Sequence, residues 1–158
     1  NRGIGGQTTP QMLLRFRQGV VDLNPKVVVI LAGTNDIAGN SGYISLEAII
    51  STIKSMAEIA NANEIKVIIS SILPAIDYPW KPGLDPASKI ITINKALKTF
   101  SEENNFIYLD YYAAMVDDKG GLKVPEYTTA NDLVHPNKDG YLVMEKLAEI
   151  AINKALNK

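Results

Sequence analysis

Hydrophobic positions along this chain follow two rhythms. Three short runs are almost continuously apolar: Lys26–Gly33 (KVVVILAG), Ile65–Ile72 (IKVIISSI) and Phe106–Asp110 (FIYLD). The first lacks the alternation of a half-exposed strand, so it predicts a strand covered on both faces of a parallel sheet. Between the runs the spacing becomes helical. Thr9 before Pro10 reads as an N-cap with a first-turn proline, and Leu13, Phe16 and Val20 mark one face of the helix that follows. Ser45 is a candidate cap for a helix carrying Leu46, Ile49, Ile50, Ile53 and Met56. Asp85–Pro86 repeats the cap-and-proline signal ahead of Ile90, Ile93, Leu97 and Phe100. A last helix is expected from about Asn137, with Tyr141, Met144, Ala148 and Ala151 inward.

Strands alternating with helices of this length imply βαβ units and a parallel sheet between two helical layers, an α/β/α domain. No repeat or linker divides the 158 residues, which suit one domain spanning 1–158. Composition removes several functions. No apolar run approaches the roughly 20 residues of a membrane span. A net charge of −1 leaves no basic footprint for nucleic acid. With no cysteine and a single histidine, disulfides, thiolate metal sites and histidine-rich metal centres are excluded, and no metal is expected. The chain opens at Asn1 with no initiator Met and no signal segment, so its compartment stays open, a secreted or periplasmic one included.

In such sheets ligands bind at the carboxyl ends of the strands. Four polar stretches are expected there: GIGGQTT at the first helix, GTND (Gly33–Asp36), LPAIDYPWKPG (Leu73–Gly83) and NDLVHPN (Asn131–Asn137). Asp132 and His135, three apart in a turn, could pair so that the carboxylate fixes the imidazole tautomer and leaves the other nitrogen as a base. Helix capping is the competing reading. The amide of Asn35 is a neutral donor suited to a developing oxyanion, and an ordinary Asx-turn is its alternative. The glycine loop offers backbone N–H groups at a helix start, as a phosphate cradle would, but it lacks a P-loop lysine and the G-x-G-x-x-G spacing. Tyr78 and Trp80, in the third stretch, could stack on a sugar or wall an acyl pocket, or lid the core.

In this order, glycine loop, strand-GTND and D-x-x-H-P before the last helix resemble the SGNH (GDSL-type) serine hydrolases, over the whole chain. The resemblance implies a flavodoxin-like three-layer fold whose N-terminal part is absent here. It gives Gly6 and Asn35 as oxyanion donors, Asp132 as the residue that orients His135, and His135 as general base and then acid. Gln7 stands where the family often has Asp, with consequences expected only at one remove from the chemistry.

The family's Gly-Asp-Ser block is missing from this sequence. The chain has eight serines, and each has another explanation as a cap, a mid-helix residue or a strand end. Only Ser41, in a loop near the site, stays a minor candidate. The nucleophile is therefore expected upstream of Asn1, on a segment of roughly 40 to 60 residues carrying two more strands and a helix. That segment, or a swapped neighbour, would complete the sheet beside VVVIL, and this chain alone would be inactive. The implied function is a serine esterase with no cofactor, acting on a small-molecule ester, with a short acyl group on a carbohydrate favoured. A non-catalytic binding module on the same fold and a flavodoxin-like nucleotide or signalling domain are the alternatives.

Overall fold

The computed structural model describes residues 1–157. Strands β1 (Val27–Ile30), β2 (Lys66–Ser70) and β3 (Ile107–Leu109) pair in parallel, in the order β1-β2-β3, with Val28 opposite Val67 and Ile69 opposite Tyr108. The strands are shorter than the apolar runs that predict them, because each run continues past its last ladder bond into a loop at the carboxyl edge.

Alternation along the strands divides the core in two. Val28, Ile30, Val67, Ile69 and Tyr108 face α4 (Leu46–Ala62) and α5 (Pro86–Glu103). Val27, Val29, Ile68, Ile107 and Leu109 face α6 (Tyr111–Met115) and α7 (Lys138–Leu156). This is the α/β/α layering the sequence predicts. Ser45 caps α4 by accepting from Ala48 N–H at 3.2 Å, and Asn137 caps α7 by accepting from Gly140 N–H at 3.0 Å. Ile90, Ile93, Leu97 and Phe100 are all buried, as their spacing requires.

Four local details depart from expectation, each for a visible reason. The first helix is broken into α1 (Thr9–Leu14), α2 (Phe16–Gly19) and a 3-10 turn (Val21–Leu23). The break falls at Arg15, whose side chain reaches back to Gln7 and to the Arg2 carbonyl. Its cap is Thr8, because the Thr9 hydroxyl donates to Asp36 instead. Asp85 is the N-cap of α5 with Pro86 after it, as expected, but it adopts a left-handed conformation and its carboxylate accepts from the Ser88 hydroxyl rather than from a helix N–H. Tyr141 points outward at 57% exposure, since the buried stripe of α7 runs through Gly140, Met144, Ala151 and Ala155.

β1 is paired on one edge only. Among the described residues no strand lies along its other edge, and Val27, Val28 and Val29 are half-buried where Val67 to Ser70 of β2 are buried. None of the described helices is long and apolar enough to cross a membrane.

Candidate active site

His135 occupies the turn that leads into α7. The turn is held from both sides: the Thr128 hydroxyl, fully buried, donates to the His135 carbonyl at 2.9 Å, and Asp132 Oδ1 accepts from the N–H groups of Val134 (3.1 Å) and His135 (2.8 Å). The same carboxylate takes the imidazole Nδ1, at 2.8 Å from Oδ1 and 3.1 Å from Oδ2. An ionised carboxylate only accepts, so Nδ1 carries a proton, and in the neutral imidazole Nε2 then presents its lone pair. Nε2 has no partner among the described residues, and 69% of the His135 side chain is exposed. Asp132 therefore closes its own turn and orients the imidazole at once, while the helix that follows is capped by Asn137 and not by Asp132 or His135.

The glycine loop meets the GTND turn, whose residues form the short helix α3 (Thr34–Ile37). Asn35 Nδ2 donates to the Gln7 carbonyl at 2.9 Å, which occupies one of its two hydrogens and leaves the other open. Gly6 has φ +80°, a conformation glycine adopts without strain, and its N–H bonds to nothing among the described residues. The loop is fastened further. Arg15 Nε donates to Gln7 Oε1 at 2.7 Å, and Arg15 Nη2 to the Arg2 carbonyl at 2.9 Å. Asn40, two residues beyond the turn's C-cap, donates through Nδ2 to the Gly6 carbonyl at 3.2 Å and to Asn35 Oδ1 at 3.1 Å. Neither Arg15 nor Asn40 stands out in the sequence.

An aromatic stack joins the two halves. Trp80 lies over His135 with ring centroids 6.1 Å apart, and over Tyr78 at 5.3 Å. Tyr78 is fully buried, and its hydroxyl reaches the Thr34 carbonyl in the GTND turn. This corrects its place in the substrate loop: Tyr78 is core, with Trp80 resting on it, and only Trp80, 53% exposed, is open to a ligand. Asp77 accepts from Tyr78 N–H and Gly83 N–H, and Lys81 Nζ donates to the Ala38 carbonyl, so the loop carrying Trp80 is tied at both ends.

Two features of the GTND turn have measurable consequences. Gly33 has φ +121°, and a Cβ there would stand 2.5 Å from Ile72 Cδ1. Gly33→Ala is expected to destabilise the fold by about 2 kcal/mol or more, read as a lowered urea midpoint. A midpoint equal to that of the unsubstituted protein would refute the strain argument.

Asp36 is buried and accepts from the Thr9 N–H and hydroxyl, fastening α1 to the turn. Desolvation raises its pKa above 3.8, and the Thr9 bonds offset this only partly. The folded state then binds the proton more tightly than the unfolded chain. The group's stabilising contribution is complete below pH 3.8 and is lost as pH rises through the higher folded value. Asp36→Asn should therefore gain on the unsubstituted protein as pH rises from 4 towards neutrality. Urea titrations in which the gap narrows over that range would contradict this sign. Asp132 behaves oppositely. Burial pushes its pKa up, but the His135 N–H, the imidazole and the Val134 N–H outweigh this and hold it below 3.8, so its contribution is lost on acidification.

The sequence profile of the GDSL-like lipase/acylhydrolase family matches residues 1–143. The chain belongs to this family. It is 44% identical to a GDSL-like lipase from Bacteroides thetaiotaomicron, and the structures superpose with a TM-score of 0.92 over 97% of this chain and 74% of that one. It is 28% identical over 145 residues to the platelet-activating factor acetylhydrolase IB subunit alpha2 of Rattus norvegicus, covering 89% of this chain. At 20% identity, an acetylxylan esterase of Geobacillus stearothermophilus shares the fold, with a TM-score of 0.78 over 95% of this chain and 69% of that one. The chain spans about half the length of the curated relatives it matches, 43% and 58% of the first two. The fold is thus that of the SGNH hydrolases, and the family's chemistry is ester hydrolysis.

Proposed function

We propose that these residues form the base and the oxyanion side of a serine esterase that removes small acyl groups, acetyl groups on carbohydrates foremost. The observation that carries this reading is the Asp132–His135 pair, with Nδ1 held at 2.8 Å and Nε2 left open. A serine hydroxyl would pass its proton to Nε2 as its oxygen bonds to the ester carbonyl carbon. The resulting oxyanion would take the Gly6 N–H and the spare hydrogen of Asn35. On collapse the ester C–O bond breaks and the leaving alcohol receives the proton from His135. Water then repeats the sequence on the acyl-enzyme and releases the acid.

The serine belongs, in this reading, to a segment that pairs with the open edge of β1. Ser70, Ser71 and Ser101 are buried, Ser45 and Ser88 are engaged at helix starts, and Ser41 shares a hydrogen bond with Thr8. No serine among the described residues bonds to His135. Half-buried valines on β1, beside unpaired backbone groups, also favour a covering strand over bare solvent. A short acyl group fits the activities of two similar proteins, an acetylhydrolase and an acetylxylan esterase, and exposed Trp80 beside His135 offers a flat apolar face to a sugar.

The test is hydrolysis of p-nitrophenyl acetate by the full-length gene product and by residues 1–158 alone. Activity in the longer protein, abolished by a serine-directed fluorophosphonate, with none in the shorter, is the expected result. A full-length product that neither hydrolyses the ester nor takes up the label would favour a non-catalytic binding module on this fold.

A further inference from the structure

Asn40 is exposed, five residues past Asn35, and nothing in its sequence context separates it from an ordinary turn residue. Its side chain nonetheless makes an unusual pair of contacts. The two hydrogens of one NH2 group go to the two residues proposed as oxyanion donors: one to the Gly6 carbonyl at 3.2 Å, the other to Asn35 Oδ1 at 3.1 Å. The Asn40 N–H also donates to the Asn35 carbonyl at 3.0 Å, which folds the chain back so that the side chain can reach.

We propose that Asn40 is a positioning residue that fixes which way the Asn35 amide faces. This rests on the serine-esterase reading above. The oxygen and nitrogen ends of an amide have nearly the same shape, so hydrogen-bond partners select between the two orientations. Asn35 sits between a group that only accepts, the Gln7 carbonyl, and a group that only donates, Asn40 Nδ2. The observed orientation satisfies both. Rotating the amide by half a turn would set nitrogen against nitrogen at Asn40 and oxygen against oxygen at Gln7. It would also take the spare N–H away from its present direction. By holding the Gly6 carbonyl as well, Asn40 limits rotation of the peptide that follows the Gly6 N–H. One side chain thus keeps the Asn35 donor aimed and anchors the residue that carries the other before substrate arrives, and such preorganisation matters most in the transition state.

Asn40→Ala removes this control but leaves Gln7 to favour the correct orientation, so the expected fall in kcat is about 10-fold, less than the loss of a donor outright. Asn40→Asp keeps the shape and turns the donor into a charged acceptor. The Asn35 NH2 is then drawn toward position 40 and negative charge sits near the oxyanion, so the expected fall is about 100-fold or more. KM and the melting midpoint should hardly move in either variant.

The variants are measured in the full-length enzyme with p-nitrophenyl acetate, beside Asn35→Ala and the double variant N35A/N40A. If Asn40 acts through Asn35, its removal should matter less once Asn35 is already gone. Equal losses for Asn40→Ala and Asn40→Asp, matched by equal falls in melting midpoint, would reveal a structural role and overturn the proposal. So would wild-type kcat in both, or a double variant whose loss is the full product of the singles. The wider reading fails differently: there the unsubstituted enzyme is inactive, or Asn35→Ala keeps normal kcat.

Discussion

Asp132→Asn should lower kcat by about 10,000-fold in the full-length enzyme while leaving the fold in place. The reason lies in how the carboxylate is shared. Oδ1 accepts from the N–H groups of Val134 and His135, as well as from the ring, and Oδ2 faces the ring alone. An asparagine must keep its single oxygen on the two backbone donors, because its NH2 cannot accept. That sets the NH2 in the Oδ2 position, facing Nδ1. With that oxygen already shared by two backbone donors, the NH2 competes for Nδ1 as an acceptor, and each ring it captures carries its proton on Nε2, the nitrogen that should take the serine proton. Since the backbone bonds survive, the melting midpoint should stay close to that of the unsubstituted protein at neutral pH. His135→Ala removes the base altogether and should cost at least as much. Steady-state rates on p-nitrophenyl acetate, with active sites counted by fluorophosphonate labelling, measure both. Asp132→Asn with near-normal kcat would reduce Asp132 to a turn cap.

The layers of the fold were legible because burial on both sides of a sheet leaves a simple mark. KVVVILAG and IKVIISSI have no polar face, and a strand without a polar face belongs between two layers. Ser45 was legible for a similar reason, since a short oxygen-bearing side chain ahead of an apolar stripe has one favoured use. Asp132 and His135 were found by spacing and order, and the structure brings them into contact. The Asn35 amide was found by its place after the first strand and Gly6 through the family resemblance; the structure sets them beside each other across Gln7.

What could not be read depends on contacts distant in sequence. Tyr78 and Trp80 are two apart in one loop and equally aromatic, yet one is core and the other surface. Tyr78 packs into the core cluster, and its hydroxyl reaches the Thr34 carbonyl 44 residues away. Thr9 looked like a cap because its sequence neighbours allow it, but Asp36, 27 residues on, claims its hydroxyl. Arg15 lay hidden in what looked like a continuous helix, and Asn40 in what looked like a turn. Polar side chains that fasten one loop to another carry no periodicity, so only three-dimensional placement exposes them.

Asn35→Ala should lower kcat by about 100- to 1,000-fold with little change in KM. Its amide has one hydrogen committed to Gln7 and one free. A ground-state ester carbonyl carries little charge and gains little from that free hydrogen, whereas the oxyanion of the tetrahedral intermediate gains much. The loss therefore falls on the chemical step. The obvious objection is that alanine also releases the Gln7 carbonyl and could let the glycine loop drift. Four other ties hold that loop: Arg15 to Gln7 Oε1, Arg15 to the Arg2 carbonyl, Asn40 to the Gly6 carbonyl, and Asp36 to Thr9. The melting midpoint should accordingly fall only slightly, and a second comparison separates the two effects. Asn35→Asp is close in size but offers acceptors where the Gln7 carbonyl and the oxyanion both need a donor, and it adds charge, so it should be slower than Asn35→Ala. An Asn35→Ala enzyme with near-normal kcat would mean that GTND is a turn and nothing more, and that the oxyanion, if one forms, is held by other donors.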